Sequence, residues 1–96
     1  MPVRLVVSID AAPGKGDEFA KVFAKRCEDS RKDAGCLQFE IFRSVSSPDK
    51  FALLELWESQ AALDEHAKLN QSRPPLPPGL RAGAGEREDY EYNRVR

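Results

Sequence analysis

Residues 36–44 and 50–58 constrain this chain more than any other stretch. Leu37, Phe39, Ile41 and Phe42 crowd the first run, and Phe51, Leu53, Leu54, Leu56 and Trp57 crowd the second. Between them stands Val45-Ser46-Ser47-Pro48-Asp49, a turn by composition. Both runs are short and bounded by turn residues, so they read as the strands of a hairpin. Centred on Ser47-Pro48, the hairpin is expected to set Phe42 opposite Leu53, Glu40 opposite Glu55 and Gln38 opposite Trp57. The other face then carries Leu37, Phe39 and Ile41 with Leu54 and Leu56. A sheet with apolar residues on both faces wants cover on both sides.

The flanking segments supply more elements. In residues 3–10, Val3, Leu5, Val7 and Ile9 alternate with Arg4, Val6, Ser8 and Asp10, the period of a strand. A Pro/Gly turn follows at 11–16, and Asp17 and Glu18 put negative charge where a helix begins. Phe19, Val22, Phe23, Cys27 and Ser30 then recur at helical steps, and Gly35 is a natural stop. Ser59 can cap a second helix running to about Leu69, with Ala62, Leu63, His66 and Leu69 on its inner stripe. Residues 70–85, with Pro74-Pro75-Leu76-Pro77-Pro78-Gly79, read as a long loop. A last strand is expected over 86–95, with Tyr90 and Tyr92 on one face.

The order βαββαβ is the ferredoxin-like, split-βαβ arrangement: an α+β fold with a four-stranded antiparallel sheet and two helices on one face. Its 96 residues make one domain over 1–96, with the 70–85 loop inside it. The helices cover one side of the sheet, and the large apolar groups left on the other predict a homodimer packed sheet on sheet. A formal charge of −1, with basic residues spread along the chain, argues against nucleic acid as a partner. No segment reaches membrane-spanning length, and Leu5-Val6-Val7 is too short for a signal. Cys27 and Cys36 have no metal-site spacing and read as small buried hydrophobes. These features predict a soluble, reduced, cytoplasmic protein.

The run Ala34-Gly35-Cys36 … Phe39-Glu40 … Arg43-Ser44, with Pro48-Asp49-Lys50-Phe51, Leu54-Glu55-Leu56-Trp57-Glu58-Ser59 and Ala61-Ala62-Leu63-Asp64-Glu65-His66, resembles the antibiotic biosynthesis monooxygenase domain. The likeness covers most of residues 3–69. It implies a dimeric α/β barrel with a cavity between sheet and helices, and a range of activities. These include cofactor-free quinol oxygenation, haem degradation and isomerisation of a sugar signal. The haem-degrading branch carries an asparagine on its first strand and a tryptophan on its second helix. This chain has no asparagine before Asn70, and its only histidine stands at that helix-2 position. The isomerase-like relatives carry a second histidine just after the first, and residues 67–73 hold none.

The expected chemistry therefore centres on His66. An imidazole on the inner face of a helix can act as general acid and base, or can simply tie helix to sheet. Glu40 and Glu55, if opposite one another, would raise one carboxyl pKa and form an acid/base pair, or would be neutralised by Arg4 or Arg43. Trp57 could stack a flat substrate or belong to the core, and Tyr90 could donate to a ligand or pack on its strand. Phe42 and Ser8 complete the expected substrate contacts, with Ser8 limited to a hydrogen bond because no base activates it. No metal or other cofactor is expected. A small phenolic or quinol-type ligand, oxidised by dioxygen, fits these groups. A non-enzymatic ligand-binding dimer and an isomerase or lyase remain the alternatives.

Overall fold

The computed structural model describes residues 1–83 and 85–91. Its elements follow the expected order: β1 (Val3–Asp10), α1 (Gly16–Ser30), β2 (Cys36–Arg43), β3 (Lys50–Trp57), α2 (Gln60–Gln71) and β4 (Glu86–Glu91). Tyr92 and the rest of the expected last strand lie outside the described residues. The sheet runs β2-β3-β1-β4, antiparallel at every pairing, which is the ferredoxin-like topology. Buried residues from the sheet (Leu5, Ile9, Phe39, Trp57) and from α1 (Phe19, Phe23) form one core. Two of the charged or polar residues buried with it, Glu55 and His66, concern the site below.

The hairpin differs from expectation by one residue. Phe42 pairs with Ala52, Glu40 with Leu54 and Gln38 with Leu56, while Phe39 pairs with Glu55 and Ile41 with Leu53. The turn decides this. Ser44 N–H donates to the Lys50 carbonyl at 2.9 Å, and the Ser44 hydroxyl accepts from the backbone N–H groups of Ser46 and Ser47, both at 3.2 Å. That closure centres the loop on Ser47 alone. Because directly opposed residues share a face, the shift sends Glu40 and Glu55 to opposite sides of the sheet. A register irregularity between Cys36 and Gln38 also takes Leu37 out of the regular alternation, and its side chain is exposed.

Three local devices position the site. The α1 N-terminus is capped from a distance: the Asp49 carboxylate accepts from Gly14 N–H at 3.0 Å and Gly16 N–H at 2.9 Å. Ser59 caps α2 as expected, accepting from Ala62 N–H at 3.1 Å, and the helix runs two residues past Leu69. Leu69 itself is 47% exposed; the inner stripe continues through half-buried Asn70 instead. Gly35, at φ +80°, turns the chain between α1 and β2 where a Cβ would stand 2.5 Å from that of Ala62. Only glycine allows this close approach of the turn to α2. The 70–85 loop is anchored as well: Leu80 is fully buried, and Ala12 N–H donates to its carbonyl at 2.8 Å.

Candidate functional site

The site grows from β3. Glu55 and Trp57, two residues apart on one strand, face the helices together. The indole N–H donates to Glu55 Oε1 at 3.0 Å, so a carboxylate is carried into the core by a donor that would itself need a partner there. The Trp57 ring is fully buried and lies 4.5 Å, centroid to centroid, from the imidazole of His66. Phe39 flanks the same imidazole at 5.4 Å.

His66 is 7% exposed, and its polar partner comes from the turn that Gly35 presses against α2. Its Nδ1 is 2.7 Å from Asp33 Oδ2. Arg73, just beyond α2, grips the same carboxylate with two guanidinium nitrogens, at 2.9 Å on Oδ2 and 2.5 Å on Oδ1. The Arg73 guanidinium, with the imidazole adding to it, holds the Asp33 carboxyl below the usual carboxylate range against the opposing effect of burial. An ionised carboxylate only accepts hydrogen bonds, so Nδ1 carries the proton toward Asp33 and Nε2 is left as the basic nitrogen. Asp33 and Arg73 carried no sequence signal. They are an acid in a turn and a base after a helix, 40 residues apart.

A cavity of about 410 Å³ opens where the helices meet the sheet. Val7, Ile9, Phe39 and Leu53 form its floor, with Phe23 and Leu63 from the helices and Leu76 from the proline-rich loop. Glu55 and His66 reach its wall, and so does Asn70, one helical turn beyond His66. Asn70 Oδ1 is shielded from solvent and has no hydrogen-bond partner among the described residues. Gln71, Arg26, Arg81 and Arg87 complete the polar lining.

The structure brings together two of the expected groups around this cavity, His66 and Glu55, and sets Trp57 behind them. The others lie elsewhere. Glu40 is exposed on the uncovered face of the sheet, 3.5 Å from Gln38 Nε2, and cannot pair with Glu55. Phe42 is 44% exposed on that same face. Ser8 is exposed there, between Ala52 and Glu86. Tyr90, opposite Arg4, is exposed and donates to Glu88 at 2.8 Å. The reason is common to all four. They occupy even positions of strands whose odd positions face the helices, or pair with such an even position. Among the described residues no group of three or more His, Cys, Asp or Glu could hold a metal. Cys27 and Cys36 are free thiols, and burial pushes the Cys27 thiol up to about 11.

Comparison with known proteins agrees with this fold. The family model described as antibiotic biosynthesis monooxygenase matches residues 2–73. The chain belongs to that family. A Mycobacterium tuberculosis protein named heme oxygenase (mycobilin-producing) is 30% identical over 87 residues, covering 91% of this chain and 75% of its own length. An uncharacterized Synechocystis protein is 29% identical over 65 residues, which is 68% of this chain and 44% of that protein. The chain therefore matches less than half the length of that relative. A solved Pseudomonas aeruginosa structure superposes with a TM-score of 0.75 at 26% identity, over 99% of this chain and 95% of the other. No helix among the described residues is long and apolar enough to cross a membrane.

Proposed function

We propose that this member of the family is a cofactor-independent monooxygenase acting on a small phenol, enol or hydroquinone, with His66 as its acid/base. One observation carries the reading: the relay Arg73–Asp33–His66 ends at an apolar cavity. Substrates of this class need little from a protein beyond orientation, exclusion of water and removal of one proton. His66 Nε2 takes the hydroxyl proton. The electron-rich anion passes one electron to dioxygen, the two radicals combine at a ring carbon, and the hydroperoxide loses water. For a hydroquinone, one oxygen atom enters the ring to give a hydroxyquinone, and the other leaves as water. The ring supplies all four electrons. Asn70 Oδ1 offers an acceptor beside the imidazole for a second substrate hydroxyl. Glu55 acts through Trp57, fixing the ring on which the imidazole rests.

The mycobacterial relative's name points to haem, which this cavity does not suit. The chain's only imidazole is tied through Nδ1 to Asp33 and lines a cavity of about 410 Å³, a space for one aromatic ring rather than for a macrocycle. The uncovered sheet face, with Val6, Leu54 and Leu56 half-buried and Phe42 exposed, supports a sheet-on-sheet homodimer. The two free thiols suit a reducing, cytoplasmic setting.

Dioxygen uptake measured with a panel of hydroquinones and enols tests the reading. Uptake that disappears in His66→Ala supports it. Binding by calorimetry with no uptake from any compound would replace it with a ligand-binding dimer, and isomerised product without uptake with an isomerase. Light scattering that gives a monomer at micromolar concentration would remove the dimer.

A further inference from the structure

The apolar cavity is also a cationic one. Arg26, Arg81 and Arg87 reach its lining from three different elements, and Glu55 is the only carboxylate among its described lining residues. Guanidinium groups stay protonated at any working pH. The cavity's described lining thus carries three guanidinium groups and one carboxylate, and the five donors of a guanidinium let it serve a ligand beside any partner it keeps within the chain.

The charges are also segregated. The imidazole sits between the Trp57 ring and Phe39, and the Phe39–Glu55 row continues to Leu5 on β1. Arg87 is paired with Val7, two residues further along β1, and Arg81 bridges Ala11 just past the end of that strand. Two strand residues span roughly 7 Å along the sheet, and β4 stands beyond β1 from β3, so these two arginines lie at the far side of the cavity from the imidazole. Arg26, meanwhile, is tied by its Nη2 to the Pro74 carbonyl at 2.8 Å, so the proline-rich loop holds this guanidinium at the cavity edge. The floor between the two ends, Val7 and Leu53, is apolar.

We propose that the substrate is a hydroxylated aromatic carrying an anionic group, a carboxylate or a phosphate, which Arg81 and Arg87 receive while its hydroxyl meets His66. This rests on the reading of the cavity as the substrate site, and it names the class of substrate. The arginines select the charged compound and set which ring hydroxyl reaches the base. They take no part in proton transfer.

The experiment compares gentisate, its methyl ester and hydroquinone monophosphate by calorimetry on the wild-type protein, with dioxygen uptake recorded for each and for hydroquinone. Gentisate is expected to bind at least about tenfold more tightly than the ester, in keeping with charge-assisted, bidentate contacts, and the advantage should shrink in high salt. The phosphate arm distinguishes the two anions, the tighter one naming the group. In Arg81→Gln and Arg87→Gln the preference for acid over ester should fall to about threefold or less. Melting curves on the same preparations report whether the variants are folded. Equal or tighter binding of the ester to the wild type overturns the proposal without any variant, as does failure of every anion to bind. A preference that survives in both folded variants overturns the assignment to these arginines. Gentisate binding without dioxygen uptake leaves the anion site standing and removes the oxygenase reading. Uptake with hydroquinone alone does the reverse.

Discussion

The two faces of this sheet are built from the same strands and differ in almost everything else. Toward the helices, Leu5, Phe39, Leu53, Glu55 and Trp57 are all buried, and the two polar groups that matter, Glu55 and His66, are held by named partners. Away from them, Gln38, Glu40, Phe42 and Ser8 stand on a face that no described element covers. The contrast puts the proposed chemistry on the greasy side. A polar group in an apolar wall costs stability unless it is paired. The pairs found there (Trp57 with Glu55, and Asp33 with His66) therefore mark where the fold tolerates such groups. The mixed face is richer in polar residues and carries a part-buried pair of its own, Arg4 with Gln38.

The contrast can be broken most directly at His66. If the helix-covered face carries catalysis, His66→Ala should lower turnover by about 10²–10⁴-fold, the usual worth of a general base, as read by dioxygen uptake with the best substrate. Wild-type turnover in a folded variant would move the chemistry elsewhere. Next comes Trp57→Ala, which empties a fully buried site and leaves Glu55 without its indole donor. Chemical denaturation should show a loss of about 3–5 kcal/mol. A loss below about 1 kcal/mol would mean that this ring is not the keel of the covered face.

Asp33→Asn sharpens the comparison through pH. Asp33 is held below its ordinary value of 3.8 in the folded state, chiefly by Arg73. Its contribution to stability is thus fully present above that value and is lost as pH falls through the lowered one. Melting temperatures measured from roughly pH 5 down to pH 2 should fall for the wild type, and the variant should lose part of that dependence. An unchanged acid limb would sink the claim. The same variant should reduce turnover less than His66→Ala does, because the amide can still orient the ring but no longer stabilises its charged form. The smallest effect is expected on the open face. Glu40→Gln should change stability by no more than about 0.5 kcal/mol and leave turnover untouched. A large loss of turnover there would put the active face on the wrong side of the sheet.

Much of this architecture could be read before any coordinates. The alternation in Val3–Asp10, the helical stripe of Phe19, Phe23 and Cys27, and the Ser59 cap each depend on neighbours within a few residues, and each appears as expected. The hairpin was legible as a hairpin but not in its register. That hung on one hydroxyl, Ser44 Oγ, folding back onto the loop N–H groups. A slip of one residue was enough to misplace Glu40 and Phe42, since parity alone decides which face a strand residue takes.

The pattern of the chain by itself determined the elements, their order and the presence of His66 on an inward stripe, because periodicity and capping are local matters. Packing alone decided which groups would hold the imidazole in place and share its cavity. Asp33 arrives from a turn that Gly35 lets approach α2, Arg73 from beyond the helix end, and Arg81 and Arg87 from a segment at the other side of the sheet. None of these residues lies within local reach of His66 on its helix. Only the closed fold brings such distant segments within hydrogen-bonding range, and nothing local in the sequence encodes which distant partner a buried polar group will find.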